Sequence, residues 1–201
     1  MRDFRSELAE VKCWDRRTSE IFAETGYPAE DCVLQNREEL IGFCEWIERN
    51  NIRSFLEIGI WTGGLLTLLN DLFSFDKVAA CDNLFVQSIG LSIQVPDETI
   101  TFFGDSHSEE YQRWRESLGP IDLVLIDGDH SYEGVRRDFE VNRLYPHRFL
   151  AFHDIIGFHP MTEGVKRLWN ELEGFKTEII KPHYELGADH PTMGIGIWSQ
   201  D

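Results

Sequence analysis

Basic residues are scarce in this chain of 201 residues: 19 Lys and Arg stand against 36 Asp and Glu, a formal net charge of −17. Such a surface repels phosphate backbones and anionic lipid headgroups, which argues against nucleic acid and membrane partners and for a neutral or cationic small molecule. No apolar run approaches the ~18 residues of a membrane span, and Met1 to Glu7 lack the apolar stretch of a signal peptide, so neither insertion nor Sec export is expected. Cysteine is limited to Cys13, Cys32, Cys44 and Cys81, without C-x-x-C or zinc-ribbon spacing. That pattern excludes a disulfide scaffold and fits reduced, packed thiols in a cytoplasm. Repeats, low-complexity tracts and linker-like stretches are absent too, so one core-forming domain is expected rather than two.

Within this chain, short apolar runs alternate with helix-like stretches. Residues 1–36 have weak periodicity and read as a helix followed by a loop, with a turn around Gly26 and Tyr27; their aromatic residues Trp14, Phe22 and Tyr27 suit either a cap over a site or core packing, and the segment is a candidate dimer contact. From residue 37 to 49 apolar positions recur at helical spacing, with Asn36 placed to cap the N-terminus. Strands are expected over 54–60, 78–81, 99–103, 121–126 and 149–152, and helices over 65–73, 107–118, 132–144 and 161–172. This alternation predicts an α/β fold whose parallel sheet is covered on both faces. Two more strands, 175–180 and 193–198, have no helix between them and predict an antiparallel hairpin at the sheet edge.

Three strand ends carry polar residues. The first reads Glu57-Ile58-Gly59-Ile60-Trp61-Thr62-Gly63-Gly64, a strand, a glycine-rich turn and a helix start, where a ligand meets close backbone and free N–H groups. It departs from G-x-G-x-x-G because Trp61 occupies the second glycine position. Asp82-Asn83 ends the next strand, where an acid can accept both hydroxyls of a ribose. Gly104-Asp105-Ser106 ends the third and suits an adenine edge. A second group, Asp127-Gly128-Asp129-His130-Ser131-Tyr132 and Phe152-His153-Asp154, falls at two strand ends on the same sheet edge, so Asp127, Asp129, His130, His153 and Asp154 are expected to converge. Three carboxylates in one cleft call for a cation. The alternative is a turn with Asp129 or Ser131 capping the following helix. His107, His159 and His183 read as surface positions.

In these pieces, from residue 37 to the end, the sequence resembles the class I S-adenosylmethionine-dependent methyltransferases. The resemblance implies a Rossmann-like, doubly wound seven-stranded sheet, mostly parallel with an antiparallel C-terminal strand, preceded by residues 1–36 as an N-terminal cap. It places Glu57, Gly59, Trp61 and Gly63 along methionine and ribose, Asp82 and Asn83 at the ribose, Asp105 and Ser106 at the adenine, and Asp127 beside the cofactor. The second group resembles the metal-dependent small-molecule O-methyltransferases, including those acting on sugars of natural products. That likeness implies a divalent metal, Mg²⁺ or Mn²⁺, on Asp127, His153 and Asp154, with Asp129 or His130 as general base. An imidazole favours Mn²⁺, Fe²⁺ or Zn²⁺ over Mg²⁺, so His153 is either ligand or base. The implied partner is a small molecule bearing a hydroxyl. Two rival classes are a nicotinamide-dependent oxidoreductase and a non-catalytic binding protein of the same fold.

Overall fold

The computed structural model describes residues 2–14, 16–27, 32–157, 159–182 and 193–200. Its elements follow in the order α1 (Phe4–Glu7), α2 (Arg16–Thr25), α3 (Arg37–Arg49), β1 (Ser54–Ile58), α4 (Gly64–Phe73), β2 (Lys77–Asp82), α5 (Phe85–Ser88), β3 (Ile100–Phe103), α6 (Glu109–Ser117), β4 (Ile121–Ile126), α7 (Tyr132–Asn142), β5 (His147–His153), α8 (Glu163–Glu171), β6 (Phe175–Ile179) and β7 (Ile195–Ser199), with a single 3₁₀ turn Pro160–Thr162 before α8. The strands form one seven-stranded sheet in the order β3-β2-β1-β4-β5-β7-β6. β1 to β5 pair in parallel, while β7 runs antiparallel to both β5 and β6.

The expected C-terminal hairpin is present, and burial explains the order of its strands. Ile195, Ile197 and Trp198 of β7 are buried, whereas β6 exposes Phe175, Lys176, Thr177 and Glu178 and takes the edge. Charged residues on an edge strand discourage pairing with another chain. Side chains alternate between two cores. Phe55, Leu123 and Leu125 pack with α1, α3 and α4 on one face, and Leu56, Ile58, Val124 and Phe152 with α6, α7 and α8 on the other.

The N-terminal segment is two helices rather than one, and it belongs to the same core: Phe4 and Leu8 are fully buried beside α3 and α4. Asn36 caps α3 as expected, its Oδ1 accepting from Glu38 N–H at 3.0 Å. The helix expected from 107 starts only at Glu109, because Asp105 Oδ1 accepts from His107 N–H at 2.9 Å and Ser108 Oγ accepts from Tyr111 N–H at 3.0 Å. Strand β1 stops at Ile58 because Gly59 turns to φ +81°. All four cysteines are buried and unbridged. Among the described residues no helix is long and apolar enough to cross a membrane.

Candidate functional site

Register brings the strand ends to one level. Ile58 pairs with Cys81 of β2 and with Ile126 of β4, and Ile126 pairs with Phe152 of β5. Gly59, Asp82, Asp127 and His153, each the next position or the last, therefore share the carboxyl edge, at the point where the strand order reverses between β1 and β4. Ligands of open α/β sheets bind at this switch point.

The glycine turn is held by chain contacts. A Cβ on Gly59 would lie 2.4 Å from the Asp127 carbonyl oxygen, and one on Gly63, at φ +90°, 2.0 Å from the Gln94 carbonyl oxygen. Trp61 adopts φ +51°, a left-handed backbone unusual for an aromatic residue, and its indole Nε1 is buried without a partner. Asp82 ties the turn down: its Oδ2 accepts from Ile60 N–H at 3.0 Å and its Oδ1 from Leu84 N–H at 2.6 Å. Burial raises its pKa against these bonds. Trp61 N–H is a third backbone donor to this carboxylate, whose remaining acceptor capacity is open to a ligand hydroxyl.

The other residues expected around the cofactor divide into two groups. Glu57 is buried with its Oε2 unpartnered, and burial, with Asp127 and Asp82 nearby, pushes its carboxyl well above the usual range. With Gly59, Trp61, Asp127, Cys32 and Gln35 it lines one cleft. Asn83 and Asp105 are exposed and serve local turns, accepting from Phe85 N–H and His107 N–H at 2.9 Å each; Ser106 follows Asp105 and is half-buried.

Four of the five residues expected to converge at β4 and β5 do so. Asp127 Oδ1 is 3.1 Å from His130 Nε2 and 3.3 Å from His153 Nδ1; Asp154 Oδ2 is 3.6 Å and 3.7 Å from the same two nitrogens. Donor atoms of Asp127, His153 and Asp154 lie within 4.8 Å of one another, the spacing of a candidate metal centre. Burial alone would raise the Asp127 pKa, but the charge of His153 and the hydrogen bond from His130 hold it below the carboxylate range. Burial opposes charge on both imidazoles, yet Asp127 and Asp154 keep both pKa values raised. Asp154, at φ +64°, has its own pKa raised by burial, and its Oδ1 is unpartnered.

Asp129 is the exception and corrects the expected convergence. It is exposed, its Oδ1 accepts from Ser131 N–H at 2.8 Å, and its carboxyl group lies against Gly134, where a Cβ would come within 2.2 Å. Ser131 Oγ in turn accepts from Gly134 N–H at 3.1 Å, so the turn-and-cap alternative describes this stretch. His107 is likewise not a surface residue: its Nε2 lies 3.3 Å from Asp138 Oδ1, a carboxylate buried in α7. His159 Nδ1 accepts from Met161 N–H, and its ring meets Phe22 of α2 edge-on at 6.4 Å. His183 lies outside the described residues.

Two participants escaped the sequence reading. Gln35 is 2% exposed and donates from Nε2 to Asp127 Oδ2 at 3.4 Å. Glu39, fully buried, accepts from Lys181 N–H at 3.2 Å and from Gly194 N–H at 3.1 Å, joining α3 to the ends of β6 and β7. The N-terminal segment reaches the site through Gln35; its aromatic residues pack elsewhere, Trp14 edge-on against Phe22 at 5.7 Å and Tyr27 against Phe85 beyond β2 at 6.1 Å.

Comparison with known proteins agrees with this geometry. Residues 56–155 match the family model described as a methyltransferase domain. The O-methyltransferase TomG from Streptomyces achromogenes, solved with S-adenosylmethionine, superposes with a TM-score of 0.61 at 14% identity, covering 98% of this chain and 95% of that one. The O-methyltransferase from Bacillus cereus, solved with S-adenosylhomocysteine, gives 0.58 at 15% identity over 91% and 89%. MycE of mycinamycin biosynthesis, solved with Mg and S-adenosylhomocysteine, gives 0.51 at 20% identity over 79% of this chain and 46% of that one. A curated relative, the uncharacterized protein y4gI of Sinorhizobium fredii (strain NBRC 101917 / NGR234), is 25% identical over 152 residues; the match covers 64% of this chain and 16% of that protein's length. With its glycine turn, strand-end acids and 3-2-1-4-5-7-6 sheet, the chain carries a methyltransferase domain at residues 56–155 and shares the fold of these solved methyltransferases.

Proposed function

We propose that this protein methylates a hydroxyl oxygen of a small neutral molecule, a sugar, natural product or catechol-like compound, using S-adenosylmethionine and a divalent metal. The observation that carries the reading is adjacency: the unpartnered, buried Glu57 carboxylate oxygen lines the same cleft as Asp127, which belongs to the Asp127, His153 and Asp154 cluster.

The residues present fit both groups. Asp127 suits a cationic cofactor, beside which the Glu57 carboxyl would ionise, the glycine turn admits the cofactor closely, and Asp82 keeps capacity for its ribose hydroxyls. A set of two carboxylates and one imidazole suits Mn²⁺ better than Mg²⁺, although MycE was solved with Mg. The cofactor supplies an electrophilic methyl group, and a divalent ion on Asp127, His153 and Asp154 supplies a Lewis acid that lowers the pKa of an acceptor hydroxyl. The protein's own task is alignment and proton removal. His130 is the candidate base. It borders the open groove between the start of α7 and the start of α8, near Tyr132 and Met161, and its contact with Asp127 orients the ring. Arg167, the cation of this groove, is spent on the Tyr132 ring at 3.7 Å and on Glu171 at 3.0 Å, which favours a neutral acceptor over an anionic one.

Calorimetry with S-adenosylhomocysteine, with Mn²⁺ or Mg²⁺ and again with chelator, tests the reading, with NADH as control ligand. Binding of S-adenosylhomocysteine and not NADH, followed by metal-dependent methylation of a polyhydroxyl acceptor, is expected; turnover undiminished by chelator would remove the metal from the proposal. His130→Gln should lower turnover about 10²- to 10⁴-fold with cofactor affinity retained. Asp129→Asn, on the exposed turn, should lose far less, and the reverse ranking would return the base to Asp129.

A further inference from the structure

The groove beside His130 has a fixed construction. Two residues that line it, Gly128 and Gly164, bring no side chain, and a Cβ on Gly164 would lie 2.3 Å from Tyr132 N and 2.4 Å from the His130 carbonyl oxygen. The first turn of α8 therefore rests directly on the main chain around the candidate base. Just ahead of α8 the 3₁₀ turn Pro160–Thr162 is locked in its turn: His159 Nδ1 accepts from Met161 N–H at 3.2 Å, Thr162 N–H donates to the His159 carbonyl at 2.9 Å, and Thr162 is buried. The main chain of Met161 is thus held in place, yet its side chain is 66% exposed, while Val165, Leu168 and Trp169 of α8 are buried in the core. A lone exposed methionine carries no meaning by itself. This one lines a groove of about 680 Å³ that His130 also lines, a volume in the range of small-molecule sites that leaves room beyond a single reacting group.

We infer that Met161 determines acceptor specificity: its thioether covers an apolar ring that adjoins the hydroxyl presented to His130, so the acceptor is a neutral, ring-bearing hydroxyl compound rather than a free sugar. This inference rests on the O-methylation reading and narrows it. A thioether is polarizable and adapts its rotamers to a ring, and the glycines on the groove leave space for one. Charge agrees with a neutral occupant. Arg167 is engaged by the Tyr132 ring and by Glu171, and the other charged side chains on the groove, Asp129 and Glu163, are acids that disfavour an anion.

The test uses three acceptors with S-adenosylmethionine and Mn²⁺: catechol; 2,3-dihydroxynaphthalene, which has the same pair of hydroxyls and one more ring; and methyl glucoside. The parent protein should show a kcat/KM about 5- to 50-fold higher for 2,3-dihydroxynaphthalene than for catechol, mostly through KM. Met161→Gln keeps the length and replaces the apolar end by an amide, and should bring the two within about threefold of each other; Met161→Leu should retain the preference. A second readout needs no turnover. Peroxide oxidation of Met161, followed by peptide mass, should slow at least about fivefold when 2,3-dihydroxynaphthalene is bound with S-adenosylhomocysteine and Mn²⁺, with buried Met193 as the internal reference. No preference in the parent, a preference retained in Met161→Gln, or oxidation indifferent to the bound ring overturns the inference. Methylation of methyl glucoside alone overturns it and leaves the O-methylation reading standing, whereas methylation of none of the three refutes that reading and the inference with it.

Discussion

Replacing Asp127 by asparagine is expected to reduce turnover by at least about 10³-fold, more than loss of a general base alone, because several functions meet at this carboxylate. It accepts from Gln35 at 3.4 Å, contacts His130 at 3.1 Å and His153 at 3.3 Å, and shares a donor cluster with Asp154. Asparagine matches its shape but presents an amide in place of a charge. It is also one of the two anionic donors of that cluster, so the variant should retain a divalent cation poorly. Calorimetry with Mn²⁺ and a single-turnover assay separate the two losses. Turnover within about tenfold of the parent would show that Asp127 is structural and that the reaction is organised elsewhere.

The second large effect is on stability. Gly63→Ala should lower the melting temperature by about 5–15 °C, from about 1–3 kcal/mol of backbone strain at φ +90° and a similar steric cost. The new Cβ would sit 2.0 Å from the Gln94 carbonyl oxygen, a main-chain atom that cannot swing aside. Gly90→Ala is the control. That glycine has φ +86° but no atom within 4 Å of its Cβ position, so it reports strain alone. A thermal melt in which the two variants fall equally would show that the approach of residue 94 does not constrain the turn.

Much of the site was legible because strand ends announce themselves locally. The run into Glu57-Ile58-Gly59, the acid at Asp82 and the pairs around Asp127 and His153 each combine an apolar strand with an abrupt polar stop, and a parallel sheet must bring such stops to one edge. Asp129 was expected in the same cluster as Asp127 but stands apart from it, on the groove that His130 also borders. Both follow one strand, but a hydrogen bond from Ser131 N–H holds Asp129 at the start of α7. Gln35 and Glu39 left no trace in the pattern, since neither lies in a motif and their partners are 92 and 142 or more residues away.

The amino-acid sequence by itself determined the order of strands and helices, the glycine turn and the acids that end β1, β2 and β4, because hydrophobic period and turn chemistry act over a few neighbouring residues. Only the tertiary structure decided which of those groups face one another. Register set Ile58 beside Ile126 and Ile126 beside Phe152, and so brought Asp127 and His153 within 3.3 Å. The path of the N-terminal segment, anchored by the burial of Phe4 and Leu8, carried Gln35 to Asp127. Contacts of that kind depend on how distant pieces pack, which no local pattern encodes.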